Sequence, residues 1–367
     1  MRRILVSVAV AGLVIAAAVA FAVLVLDDAD DGEAGPAASS TTTDPPTTTT
    51  TRSRRGSGQP VTFVFGGDVH FEGSLRSKLD ANPAGVLSPI GGELSAADVA
   101  VVNLETAITE GGSPAPKEYN FRAPARAFEA LAAAGVDVAT MANNHGMDYG
   151  TAGLADTLAA KAATPIGVVG VGANAGEAYA PWRAEVKGQR IAVFGVTDVL
   201  DDSVRAAWTA TDTQGGLASS KVPEQERFLA AIRAERPNAD TIVVYLHWGA
   251  EGDTCPTTRQ QELALALVHA GADIIVGSHS HRVQTAGRMG SALVAYGLGN
   301  FVFYNESGQS GVTGVLTVTA TGRDIDTYAW KPARIRGGVP VLVGDPTAAQ
   351  DRAAFDARRA SCTTLTP

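Results

Sequence analysis

Apolar residues fall along this chain in three regimes. Ile4 to Leu26 is an unbroken apolar run with no charge and one serine. Residues 27 to 60 hold almost nothing apolar. From Val61 onward, short β-rich runs alternate with stretches of helical period. Val61 to Phe65, Asp98 to Val102, Val136 to Thr140, Arg190 to Val196, Thr241 to Leu246 and Asp273 to Val276 read as buried strands. Pro124 to Ala134, Thr151 to Ala163, Pro223 to Arg233 and Thr258 to Ala270 read as helices between them. Strands become denser after Ala292. This alternation predicts an α/β domain with sheets covered by helices. Residues 337 to 367 read as a loose, arginine-bearing tail.

The first regime predicts a transmembrane helix over 4–26. At about 1.5 Å per residue it spans roughly 34 Å, enough to cross a bilayer. Arg2 and Arg3 precede it, and Asp27, Asp28, Asp30, Asp31 and Glu33 follow it. The positive-inside rule then places residues 1–26 as a signal anchor with a cytoplasmic N-terminus and an extracellular C-terminal domain. The alternative is secretion after signal cleavage, because Ala18-Val19-Ala20 resembles a cleavage site. Residues 27–60, rich in Thr, Ser and Pro, read as a disordered linker. The folded region is taken as 61–336.

Composition narrows the picture. Net charge is −9 and the sequence pI is near 5.2. That argues against nucleic acid as a partner, which wants a basic face. Cys255 and Cys362 are the only cysteines, and neither has zinc-finger spacing. If the domain lies outside the cell, the two are expected to pair.

Candidate chemistry gathers just beyond the apolar runs. Asp68/His70, Asn103/Glu105, Asn143/Asn144/His145, His247 and His279/His281 each follow a predicted buried strand. In open α/β sheets, ligands bind beyond the carboxyl ends of strands. Of six histidines, only His269 lies outside these clusters, so the placement is not scattered. In an extended backbone, residues two apart face one side, so His279 and His281 can address one point, as can Asp68 and His70. A metal ion is one reason for that arrangement, and a polar turn with exposed histidines is the other. Imidazole, carboxylate and amide donors suit Mn, Fe or Zn better than Ca or Mg. Their number is enough for two divalent metal ions bridged by a carboxylate.

The order Asp-x-His, an acid after the second strand, Asn-His, a lone His and His-x-His resembles the ligand order of calcineurin-like metallophosphoesterases. The chain more closely resembles the CapA family of capsule and poly-γ-glutamate synthesis proteins. The motifs that carry this are Gly67-Asp68, Asn103-Leu104-Glu105-Thr106, Phe121-Arg122-Ala123-Pro124, Ala142-Asn143-Asn144-His145, His247-Trp248-Gly249, Gly277-Ser278-His279-Ser280-His281 and Tyr296-Gly297-Leu298-Gly299-Asn300-Phe301. The resemblance implies a four-layer α/β/β/α sandwich. It implies metal ligation by Asp68, His70, Glu105, Asn144, His247, His279 and His281. It gives His145 the catalytic role of assisting the leaving group. Glu105 stands where the phosphoesterases have a bridging aspartate. Gly146 stands where many have an acid that orients the histidine, and Asp148 is the nearest substitute.

Three further residues have two readings each. Arg122 either binds an anionic substrate or forms a surface salt bridge. Asn300 is either a turn residue or a support for a ligand. Asn143 reads as a turn residue before a ligand. The expected function is that of a membrane-anchored protein of capsule or poly-γ-glutamate biosynthesis that hydrolyses a phosphoester or related bond in an anionic polymer. Polymer synthase membrane subunits are its expected partners. The alternative is a non-catalytic, metal-binding accessory subunit of a polymer synthesis or export complex.

Overall fold

The computed structural model describes residues 53–367. The expected anchor at 4–26 lies outside them, as does most of the linker. No helix among the described residues is long and apolar enough to cross a membrane.

Two large sheets make a mixed α/β fold. In the eight-stranded sheet the order is Val339–Leu342, Asp324–Arg336, Val312–Thr321, Val61–Val69, Val99–Leu104, Val138–Thr140 and Gly167–Val169, with Asn300–Val302 also pairing to Val61–Val69. The six-stranded sheet runs Ala286–Met289, Ala292–Ala295, Ile274–Ser278, Thr241–His247, Gln189–Thr197 and Trp182–Val186. The strands that precede the polar clusters are parallel to their neighbours: Val61–Val69 to Val99–Leu104, and Thr241–His247 to Ile274–Ser278. Their carboxyl ends therefore emerge together within each sheet.

Strand periodicity sorts the core. Val61, Phe63 and Phe65 join Val243, Tyr245, Ile274 and Val276 in a core shared by both sheets. Val64 faces the other way, with Leu75, Leu79, Phe128 and Leu131 from the covering helices. In the second sheet Phe194, Val196, Val244 and Leu246 pack on Phe228, Ile232, Leu263 and Leu267. Each such side chain, fully buried, stabilises the fold by about 1.5–3 kcal/mol relative to exposure. Burial on both strand faces explains why these strands read as nearly continuous apolar runs.

The helix that leads into the histidine strand is Thr258–Ala270. Thr257 accepts from the Gln260 backbone N–H, and the Gln260 side chain accepts from the Thr257 N–H, so two otherwise unpaired donors are satisfied. Gly271, at φ 114°, ends the helix in the left-handed region.

Two boundaries differ from the sequence reading. The residues after 337 are not loose. Val339–Leu342 extends the large sheet, and Thr347–Cys362 is a helix whose Phe355 is buried against Trp330. Cys362 is bonded to Cys255, with Cα atoms 5.4 Å apart. A 16-residue helix with two buried side chains has a weak apolar signal, and its docking depends on a distant partner. At the other boundary, residues 53–60 are held onto the fold. Arg54 and Arg55 pair with Asp324, and Gln189 donates to the carbonyls of Arg55 and Gln59.

Candidate metal centre

Glu105 stands at the middle of the polar clusters. It follows the strand Val99–Leu104, is fully buried, and among the described residues neither of its carboxylate oxygens has a hydrogen-bond partner. Its Oε1 lies 3.4 Å from His247 Nε2, 3.9 Å from His145 Nε2 and 4.0 Å from His281 Nε2. Burial, and next the Asp68 carboxylate, push its pKa well above the ordinary carboxyl range. A buried acid left unpaired is costly unless something positive meets it.

The atoms around it have metal-ligand chemistry. Glu105, His279 and His281 each offer one ligand atom, all within 4.8 Å of one another. His247 Nε2 is 2.8 Å from Asn144 Oδ1 and 3.0 Å from His279 Nδ1. Burial, then His281, brings the His279 pKa down to about 3, and burial with His279 pushes His247 well below its ordinary value. Neutral imidazole is the form that ligates metal. His281 is the exception. Burial acts to lower it, but the Glu105 and Asp68 carboxylates outweigh that and raise it to about 9. The orphaned Glu105 oxygens and this donor set fit a divalent ion.

Local backbone and neighbours aim these groups. His279 and His281 both have positive φ, 93° and 52°, where non-glycine residues are uncommon. The turn aims the two imidazoles where a regular strand would not. Gly277 has no room for a side chain, since a Cβ there would strike Trp248 and the Tyr296 carbonyl. Trp248 is the packing wall behind the histidines, and its indole N–H donates to the same carbonyl at 2.7 Å. Asn103 donates to Asp68 Oδ1 at 2.8 Å and lies 3.1 Å from His247 Nδ1. Asn143 donates to Asn103 Oδ1 and the Leu104 carbonyl, and accepts from the His145 N–H. Asn143 is thus a brace within the turn. Asn300 Oδ1 is 2.7 Å from His281 Nδ1, which makes it a support for that histidine.

His145 lies beside the centre. Its Nε2 faces Glu105, and its Nδ1 is 2.6 Å from Asp148 Oδ2. Asp148 is fully buried, pairs with Lys117 Nζ at 2.5 Å, and accepts from the Phe121 N–H at 2.6 Å. Burial lowers the His145 pKa against the opposing pull of Asp148. The Phe121 ring stacks on the imidazole at 4.0 Å.

Two expected site residues have partners other than the central carboxylates. His70 makes no hydrogen bond or ion pair with Asp68 or Glu105. Its Nδ1 accepts from the Glu72 N–H at 3.0 Å, and its ring lies among Phe121, Phe303 and Tyr304. The strand's pairing shifts register on both sides of Asp68 and the strand ends at Val69, so His70 lies beyond the regular strand. Arg122 does not line the cleft above the centre. Its guanidinium sits 4.9 Å over the Tyr149 ring and reaches the Glu110 carbonyl. That cleft, about 330 Å³, is lined by His145, His281, Phe303, Tyr304, Glu251 and Arg282, with six further residues. Lys117, Glu251 and Arg282 are the charged residues near the site that the sequence reading did not single out. Only Arg282 adjoins a motif, directly after His281.

Residues 62–305 match the model of the family described as bacterial capsule synthesis protein PGA_cap. A capsule biosynthesis protein CapA from Bacillus anthracis is 36% identical over 52% of this chain and 45% of its own length. A PGA biosynthesis protein CapA from Bacillus subtilis is 35% identical over 57% of this chain and 54% of its own. A "Probable polyglutamine synthesis accessory protein" from Mycobacterium tuberculosis is 30% identical over 57% of each chain. The match thus spans about half the length of these relatives. With the family model matched over most of the folded region, this chain belongs to the bacterial capsule synthesis protein PGA_cap family.

Proposed function

We propose that this chain is a membrane-anchored, extracytoplasmic protein of capsule or poly-γ-glutamate biosynthesis, and that its cleft hydrolyses a phosphoester or related bond in an anionic polymer. One observation carries the reading: a fully buried Glu105 whose two oxygens have no hydrogen-bond partner among the described residues, ringed by imidazole nitrogens at 3.4–4.0 Å. The two sheets with a shared core, each covered by helices, are what a four-layer phosphoesterase-like sandwich requires.

Asp68, Glu105, Asn144, His247, His279 and His281, with His70 at the edge, would hold the divalent ions. Mn, Fe or Zn suits these donors. Bound there, divalent ions would supply Lewis acidity toward a phosphoryl or carbonyl oxygen. The chain's own residues do the rest. Asp148 fixes Nδ1 of His145, so that Nε2 can hold the proton a leaving group needs. Phe121, Phe303 and Tyr304 make an apolar wall that limits water. The apolar run at 4–26 supplies the anchor, and the Cys255–Cys362 bond suits an oxidising compartment. Membrane subunits of a polymer synthase are the partners this reading implies.

The test is elemental analysis of the purified chain, followed by turnover on phosphoesters and γ-glutamyl peptides. A chain that takes up no Mn, Fe or Zn sinks the reading. The accessory-subunit alternative is favoured by the mycobacterial relative's name. It predicts bound metal with no turnover on any of these substrates.

A further inference from the structure

Arg282 follows His281 directly and lines the same cleft. Its Nη1 donates to the His281 carbonyl at 2.8 Å and to Ser310 Oγ at 2.6 Å. The Ser310 carbonyl in turn accepts from Asn300 Nδ2 at 3.1 Å, and Asn300 Oδ1 meets His281 Nδ1. One edge of the guanidinium is therefore pinned to the network that orients a candidate ligand. Among the described residues, no carboxylate pairs with Arg282, and its remaining N–H groups have no hydrogen-bond partner. An arginine with a fixed edge and a free edge presents a ready fork for a carboxylate or phosphate. Most other arginines of the fold are neutralised, as Arg236 is by Asp273 and Arg334 by Asp351.

The charge balance makes this position matter. The chain carries a net −9, so an anionic polymer meets general repulsion. Glu251, exposed, also lines the cleft and also lacks an ion-pair partner among the described residues. One wall group thus attracts an oxyanion and another repels it. Exposed Tyr119 and Tyr304 flank the cleft with apolar ring faces.

We propose that Arg282 is a specificity-determining residue that seats one carboxylate of a polyglutamyl chain beside the metal centre, while Glu251 disfavours a second carboxylate nearby. This rests on the function proposed above, for the substrate class and the place of the reacting bond. The fork fits carboxylate and phosphate alike, so two probes are needed to tell them apart.

The experiment is calorimetric titration of the full purified chain with tetra-γ-glutamate and, separately, with inorganic phosphate. Metal content and thermal melting are measured on every sample. Arg282→Gln is expected to weaken tetra-γ-glutamate binding about 10-fold or more, on the scale of a lost bidentate pair, with metal content unchanged. Arg282→Lys, which keeps charge but not the fork, should fall between the two. Glu251→Gln should tighten binding. Equal tetra-γ-glutamate affinity in wild type and both Arg282 variants overturns the proposal. So does loss confined to the phosphate probe. A wild-type chain that binds tetra-γ-glutamate through Arg282 but takes up no metal supports this subsite while overturning the metal reading. Bound metal with no Arg282 dependence does the reverse.

Discussion

Asp148 Oδ2 stands 2.6 Å from His145 Nδ1, with Lys117 Nζ 3.2 Å from the same atom, and the other ring nitrogen faces Glu105 at 3.9 Å. The acid lies three residues beyond the histidine, where Gly146 leaves the adjacent position without a side chain. The turn brings it back, and Lys117 balances its charge.

If the centre is catalytic, His145→Ala leaves metal content intact and lowers turnover by roughly 10²- to 10⁴-fold. Asp148→Asn should lower turnover as well, by a smaller factor, because the imidazole remains but its tautomer is no longer set. Steady-state rates with metal analysis on each variant check both. In cells, normal polymer production with His145→Ala counts against hydrolysis and favours the accessory role.

The candidate ligands should separate by stoichiometry. His279→Ala with His281→Ala is expected to remove most bound metal while the fold persists, since both residues lie past the apolar part of their strand. His70→Ala should cost at most one ion per chain, because His70 lies at the edge of the group. Elemental analysis that finds unchanged metal in the double variant defeats the assignment.

Arg122→Gln should leave polymer binding unchanged, since that guanidinium rests on Tyr149 outside the cleft. Titration with the same γ-glutamyl probe provides the comparison with Arg282.

The disulfide ties the C-terminal helix to the loop that bears Glu251. Cys255→Ser with Cys362→Ser is expected to destabilise the fold by about 2–5 kcal/mol, seen as a lower denaturant midpoint. Alkylation of the native protein should find no free thiol.

Asp98 gives a pH signature away from the centre. Burial acts to raise its pKa, but Lys187 Nζ at 2.7 Å and the Thr62 N–H and hydroxyl outweigh that and hold it below the ordinary value. A folded pKa below the unfolded one means the stabilisation is full above the unfolded value, near 3.8, and is lost as pH falls through the folded one. Asp98→Asn should therefore destabilise near pH 7 and have much less effect in strong acid. Melting curves across that range measure it.

Much of this site was legible in the chain because its residues sit at the ends of apolar strands. Glu105 in one sheet, and His247, His279 and His281 in the other, were legible as strand-end residues, since a parallel sheet delivers its strand ends to one edge, while the meeting of the two sheets was not. The strands themselves were legible because both faces are buried, which leaves long apolar runs in the sequence. What the tertiary structure decided depends on contacts far apart in the chain. His70 sits at the edge of the group, with its Nδ1 accepting from the Glu72 N–H, past a register shift at Asp68 that local periodicity does not reveal. Arg122 and Arg282 look alike as letters, yet one lies on Tyr149 and the other is pinned to Ser310 inside the cleft. The C-terminal helix carries few apolar residues, so only its partners Trp330 and Cys255 reveal that it is docked. Local periodicity reports which face of an element is buried, but a side chain's partner is set by the path of the backbone between distant elements.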